Sequence, residues 1–283
     1  MAADSLAFGD FVIVYYGHHK CASQWVLTHF EAAAWDLGLR FARLPDPELS
    51  GASLLNFLAR SQIDVLAIEN ARASHAQALA HWKGVHVVRD PRDIVVSGYF
   101  SHLKTHRQEA LGPTVRAHRE RLNQLPKAEG LHEEIDLNRH WFEHFMAWNF
   151  RQPNVLELRF EELTTDPYNG FLNAFQFVGL LQDPTPSWEH LIRAYNRSRG
   201  QIRGGRRLPP WRLRGLPPER CLAIVYRNRF EALSGGRRQG SEDTGSHYRK
   251  GVAGDWKNHL NSEHLAHFER SYPGLLGHLG YGP

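Results

Sequence analysis

Short apolar runs of strand length alternate with helix-period segments through the first hundred residues, an order that few folds accept. The first run, Phe11–Tyr16 (FVIVYY), is β-branched and aromatic and stops at Gly17; from Ser23 an apolar pattern at helical spacing continues through Val26, Leu27, Phe30 and Ala34 to a break at Gly38. Leu39–Leu44 reads as a short strand closed by Pro45 and Pro47, Ala52–Arg60 as a helix, Ile63–Ile68 as a buried strand and Ala71–Trp82 as a helix. Val85–Val88 is a further strand, and Asp90-Pro91 opens a helix with a capping side chain and a proline at its first position. This alternation predicts an α/β fold with a central parallel sheet flanked by helices on both faces.

Downstream, Thr114–Leu125 and the aromatic-rich stretch Leu131–Phe150 read as helical, Asn154–Arg159 as a strand, and Asp166-Pro167 as another helix start. Pro217–Leu233 and Ser262–Leu279 read as helices on either side of a Gly-rich loop, Ser234–Tyr248. From His190 to Pro218 there is no acidic residue, yet eight arginines fall between Arg193 and Arg214; this segment is read as a mobile basic loop, a lid candidate or a solvated surface excursion.

With 283 residues and no low-complexity linker, a single domain over residues 1–283 is expected. A formal charge of +4 suits small anions better than a nucleic-acid backbone, which usually meets a stronger basic stripe. Two cysteines, Cys21 and Cys221, make no disulfide framework, so a reducing, cytoplasmic compartment is the default. No apolar run approaches the ~20 residues that span a bilayer, and the opening MAADSLAFGD lacks the basic and apolar regions of a signal peptide. Nothing in the sequence sets an oligomeric state.

Three stretches carry anion-binding chemistry. In GHHKCASQW a strand, a tight turn and a helix start bring free backbone N–H groups and roughly half a unit of dipole charge to one point, and Lys20 adds a full charge. In VHVVRDPRDIVVSGYFSH, Arg89 leaves a strand end and Ser97 follows eight residues later on the next helix, a guanidinium and a hydroxyl suited to a phosphate. In HYRKGVAGDWKNHL, Arg249 and Lys250 are adjacent cations, and Gly251 and Gly254 permit close backbone approach. Neither G-x-x-x-x-G-K-[ST] nor a strand followed by G-x-G-x-x-G occurs, which disfavours an ordinary P-loop NTPase or dinucleotide enzyme.

In this order and spacing, and with RFEELTTDP near residue 160, the stretches resemble the sulfotransferase family that uses 3′-phosphoadenosine 5′-phosphosulfate (PAPS). The resemblance implies a single sulfotransferase-like α/β domain related to the P-loop NTPases, a sulfuryl transfer to a hydroxyl or amine of a small-molecule or glycan acceptor, adenosine 3′,5′-bisphosphate (PAP) as product, and no metal. The family's 5′-phosphosulfate loop, usually K-S-G-T-T/S-W, is matched by Lys20, Cys21, Ala22, Ser23, Gln24 and Trp25. It implies that Lys20 holds the departing oxygen, Ser23 and backbone N–H groups grip the 5′-phosphate, and Trp25 stacks on adenine. Arg89 and Ser97 match the 3′-phosphate residues, and Arg249, Lys250 and Gly251 the closing 3′-phosphate loop.

The chain also departs from the pattern. Ala22 and Gln24 replace Gly and Thr/Ser, Phe160 stands where relatives often carry Tyr, and the strand that precedes the usual catalytic His ends here in Ile68-Glu69-Asn70. Lys104-Thr105-His106 lies on the wrong side of Ser97 and is read as a coincidence. The proton acceptor is left between Glu69, as in relatives that use a carboxylate there, and the histidines His18, His19 and His75. His140 and His144 share a helix spacing but lack a third ligand. Two other classes stay open: an anion- or nucleic-acid-binding module, and a nucleotide-dependent kinase.

Overall fold

The FVIVYY run forms β1 (Val12–Tyr16), buried along its whole length as a central parallel strand must be. The computed structural model describes residues 11–44, 48–105, 113–201 and 208–282, and the expectations for the first ten residues, for Pro45 and Pro47 and for residues 202–207 fall outside them. With β2 (Phe41–Arg43), β3 (Val65–Ile68), β4 (Trp82–Val88) and β5 (Val155–Arg159), β1 builds a five-stranded sheet in the order β2-β3-β1-β4-β5. β1 runs parallel to β3, with Ile13 opposite Val65, and to β4, with Tyr16 opposite His86; β2 runs parallel to β3. The strand order reverses at β1, and an open sheet of this kind takes ligands at the carboxyl ends of the strands beside that reversal. β1 ends in the Gly17 turn and β4 runs out into Arg89.

The helices in chain order are α1 (Ser23–Leu37), α2 (Gly51–Ser61), α3 (Ala73–Ala78), α4 (Pro91–Phe100), α5 (Pro113–Leu122), α6 (Lys127–Leu137) and α7 (Arg139–Ala147). They continue with α8 (Phe160–Thr165), α9 (Pro167–Phe177), α10 (Glu189–Gln201), α11 (Pro218–Arg227), α12 (Phe230–Leu233), α13 (Ser262–Ser271) and α14 (Leu275–His278). α1 stops where the sequence predicts, with Gly38 at φ +68° closing it. α4 begins at Pro91 behind Asp90, whose side chain accepts from the Arg92 N–H.

Several expected helices are shorter or broken. The helix expected over Ala71–Trp82 ends at Ala78, because Trp82 pairs with Val12 in the sheet and sets its ring edge-on to Tyr16 at 5.1 Å. The stretch Leu131–Phe150 is two helices parted at Asn138, which turns its amide onto the Glu134 carbonyl at 2.7 Å. Pro217–Leu233 divides near Asn228, and Ser262–Leu279 divides at Pro273-Gly274, where Gly274 takes φ +77°. The arginine-rich segment is a helix, α10, through its first half rather than a loop.

The chain packs as two compact units. The first contains the residues up to His18, Ala22–Val87 and Asn149–Asn228; the second contains His19–Cys21, Val88–Trp148 and Arg229–Pro283. In the first, alternate residues of the sheet, Ile13 and Tyr15, Val65 and Ala67, Val85 and Val87, share a core with Phe30 and Leu37 of α1, Phe171 and Phe175 of α9, and Ile224 and Val225 of α11. Its arginines serve buried carboxylates: Arg197 pairs with Asp36 at 2.7 Å beside Arg220, Arg212 grips both oxygens of Asp64 at 2.9 Å, and Arg193 pairs with Glu189 at 3.2 Å. The second unit packs α4 on α6, and α6 on α13.

Candidate active site

The cations predicted to face one anion come together in the second unit. Lys20 takes φ +60°, in the left-handed region, and its carbonyl accepts a 3.1 Å hydrogen bond from Nη1 of the buried Arg89. Burial of the Lys20 ammonium, then the positive charges of Arg89 and Arg249, lower its pKa to about 8, against an opposing pull from the buried carboxylate of Glu134. A lysine held in a positive field is stabilised by a bound anion, which removes the mutual repulsion. Ser97 sits half-buried on α4.

The closing loop is fastened to the start of α4 in the same unit. The Gly254 and Trp256 N–H groups donate to the two oxygens of Asp93 at 2.6 and 2.8 Å, and the Arg92 guanidinium lies 3.9 Å from the Trp256 ring centre. Asp255 takes Arg249 at 2.6 Å and Lys250 at 2.5 Å; burial would push its carboxyl up, but these bonds and one from Asn258 hold it well below the usual carboxylate range. Arg249 also pairs with Glu242, and Lys104 donates to Thr244 at 3.0 Å. Gly251 has φ +70°, and a Cβ there would run into the Phe230 ring, so no other residue fits. His106 lies outside the described residues.

In the first unit, Ala22 takes φ +59° before α1, adopting the conformation that glycine takes more cheaply. Ser23 Oγ donates to the His18 carbonyl at 3.1 Å and accepts from the Tyr15 hydroxyl at 3.3 Å. Gln24 Nε2 donates to Glu69 at 2.6 Å, and Arg43 Nη1 donates to Gln24 at 3.0 Å and to Glu69 at 3.1 Å, a closed ring of three side chains. The Trp25 indole N–H donates to the Asn228 carbonyl at 2.9 Å, and its ring lies edge-on to Phe171. Phe160 is buried at the start of α8, and His75 Nδ1 accepts the Arg72 N–H at the start of α3.

Residues 74–201 match the family model described as a sulfotransferase domain. Over those residues the chain is similar to the sulfotransferase family. Mouse sulfotransferase SULT7A1, crystallised with PAP, shares the fold at a TM-score of 0.56 and 15% identity, over 94% of this chain and 84% of that one. Retinol dehydratase, in complex with retinol and PAP, aligns at a TM-score of 0.48 and 17% identity, over 93% of this chain and 81% of that one. No curated protein matches the chain by sequence.

The chain also carries two polar networks that its sequence does not flag. In the first unit His86 Nδ1 donates to Glu157, and the Nε2 atoms of His86 and His18 share a 2.7 Å hydrogen bond, which links β5, β4 and the turn after β1. In the second unit the fully buried Glu134 takes His102 Nδ1 at 3.0 Å and His118 Nε2 at 2.9 Å. Each brings together residues from elements far apart in the chain, and a sequence shows such a meeting only after the elements are packed.

Proposed function

We propose that this chain transfers the sulfuryl group of PAPS to a hydroxyl, or an amine, of a small, medium-sized or glycan acceptor and releases PAP, as one domain over residues 1–283. One observation carries the reading: Arg89 Nη1 donates to the Lys20 carbonyl at 3.1 Å, which seats the two cations together at the end of the strand-to-helix turn, and Arg249 adds its charge to the burial and the Arg89 charge that lower the lysine's pKa. That concentration of charge suits the phosphate ends of a single nucleotide. Support for the extent of the domain comes from the fold likeness, which runs over 94% of the chain.

In the mechanism that follows, Lys20 stabilises charge on the phosphate oxygen as the bond to sulfur breaks, a group aimed at charge that develops in the transition state. Arg89 and Ser97, with Arg249, Lys250 and Gly251, hold the 3′-phosphate. Cys21, Ala22, Ser23, Gln24 and Trp25 shape the 5′-phosphate loop, and Phe160 flanks the adenine end. Glu69 has both oxygens engaged by Gln24 and Arg43, which favours a role in ordering that loop. His18, tied to His86, anchors the turn to β4.

The buried thiols of Cys21 and Cys221, neither of them in a disulfide and the latter pushed up to about 12 by burial, support a reducing, cytoplasmic setting. Among the described residues no helix is long and apolar enough to cross a membrane. Calorimetry with PAP and with ATP·Mg²⁺ tests the reading. Binding of PAP without Mg²⁺, together with transfer of labelled sulfate from PAPS, is expected. A preference for ATP·Mg²⁺, or for polynucleotide with a steep salt dependence, contradicts it.

A further inference from the structure

We propose that His102, His118 and Glu134 form a buried zinc site that ties the π-helical turn after α4 to α5 and α6. All three residues lie in the second unit, and the inference stands apart from the identity of the sulfuryl donor. His102 sits in the turn itself, Ser101–Thr105, a geometry that often marks functional positions. Its Nδ1 is 3.0 Å from Glu134 Oε2, and His118 Nε2 reaches the same oxygen from α5 at 2.9 Å. The two ring nitrogens and the carboxylate oxygen all lie within 4.8 Å of one another. A point equidistant from three atoms so placed is at most about 2.5 Å from each, and small side-chain shifts bring it to the ~2.0–2.2 Å of zinc bonds to imidazole and carboxylate.

The surroundings supply what such a site needs beyond its ligands. Glu134 and His102 are fully buried and His118 nearly so, and bulk water does not compete for the ion there. Space for the carboxylate is made by Gly98, where a Cβ would run into Glu134 Oε1. That oxygen takes the Asn138 amide at 3.1 Å, the kind of outer contact that orients a ligating carboxylate. The other end of the amide, Asn138 Oδ1, is buried with no hydrogen-bond partner among the described residues. A zinc-bound water would satisfy that oxygen and fill the fourth position of a tetrahedral shell. Two imidazoles and a carboxylate match zinc's preference for nitrogen and oxygen ligands, and on binding each imidazole gives up to solvent any proton on the nitrogen that faces Glu134. An ion held by one turn and two helices fastens them in the native state, and no step of the proposed transfer passes through it.

The test uses the whole chain without a polyhistidine tag, refolded with zinc and dialysed against metal-free buffer, with zinc, iron and copper read by mass spectrometry. One zinc per chain is expected. Its removal by a chelator should lower the thermal midpoint by several degrees, with recovery when zinc is added back. Glu134→Ala and His118→Ala should each lose the zinc, whereas the double variant His140→Ala/His144→Ala, which removes a second pair of imidazoles 3.3 Å apart on α7, should keep it. X-ray absorption at the zinc edge of that double variant decides the matter even where the buried-site variants do not fold: two imidazoles, with oxygen for the remaining ligands, are expected. A wild type that holds no zinc, a midpoint indifferent to the chelator, zinc kept by Glu134→Ala or lost with the α7 pair, a sulfur ligand, or iron or copper held in place of zinc each overturns the proposal. Zinc content is read without PAP or PAPS present, and failure of the wild type to bind PAP is a separate result that bears on the donor reading alone.

Discussion

Around α1 and α10, Arg197 and Arg220 close on Asp36 and Arg212 closes on Asp64, whereas beyond the ends of β1 and β4 Lys20 meets Arg89 and Arg249. Both regions are rich in positive charge, but they balance it differently. Asp36 and Asp64 are buried, and a buried carboxylate needs cations, so these arginines are part of the fold's own electrostatic closure. Lys20 is held at a lowered pKa, and Glu134 offsets only part of the field around it. Counting arginines in a sequence does not tell these situations apart; the pairing of each one does.

The contrast between the two regions is broken most visibly through Asp36. Asp36→Ala leaves Arg197 and Arg220 without their carboxylate and should cost about 3–5 kcal/mol of stability, seen in chemical denaturation. The affinity of the folded fraction for PAP should be unchanged; a matching loss of affinity would mean that the two regions are not separate in function. Lys20→Met should act in reverse, lowering single-turnover sulfuryl transfer by about 10²–10³-fold with little effect on the denaturation midpoint. If Arg89 holds the 3′-phosphate as proposed, Arg89→Ala should weaken PAP binding in calorimetry by about 1.5–3 kcal/mol, the worth of a charge-assisted contact. The smallest effect is expected at Ala22→Gly, which relieves a left-handed alanine and should raise stability by up to about 1 kcal/mol in the same denaturation assay.

Periodicity and punctuation carry most of the fold. FVIVYY, the Gly38 stop and the Asp90-Pro91 start each rest on local chemistry, and each appears where that chemistry puts it. Trp82 defeats this reading because its helix-compatible neighbours give no sign that Val12 will claim it for the sheet. The break at Asn138 is hidden for a similar reason, since its amide also reaches the Glu134 side chain, at 3.1 Å from Oε1, a contact that only packing reveals. The cation cluster is legible because motif order predicts that Lys20, Arg89 and Arg249 share one ligand, and the three charges do act on one another. The Glu134 network is not: its members sit on a π-helical turn, α5 and α6, and only packing turns three ordinary polar residues into one device. Lone histidines and an isolated Glu are common surface residues, so no linear pattern singles them out.

In the proposed function, the field around Lys20 is completed by a nucleotide phosphate. With its pKa near 8 in the free protein, Lys20 loses charge as pH rises through that value, and a bound phosphate, which favours the ammonium, must raise its pKa. Calorimetry of PAP binding between pH 7 and 9.5, in buffers of different ionisation enthalpy, measures this directly. The expected result is net proton uptake on binding that peaks between pH 8 and the higher pKa of the complex, weaker affinity at the alkaline end, and loss of that uptake in Lys20→Met. Affinity and proton exchange that are the same in wild type and Lys20→Met across the range would contradict it.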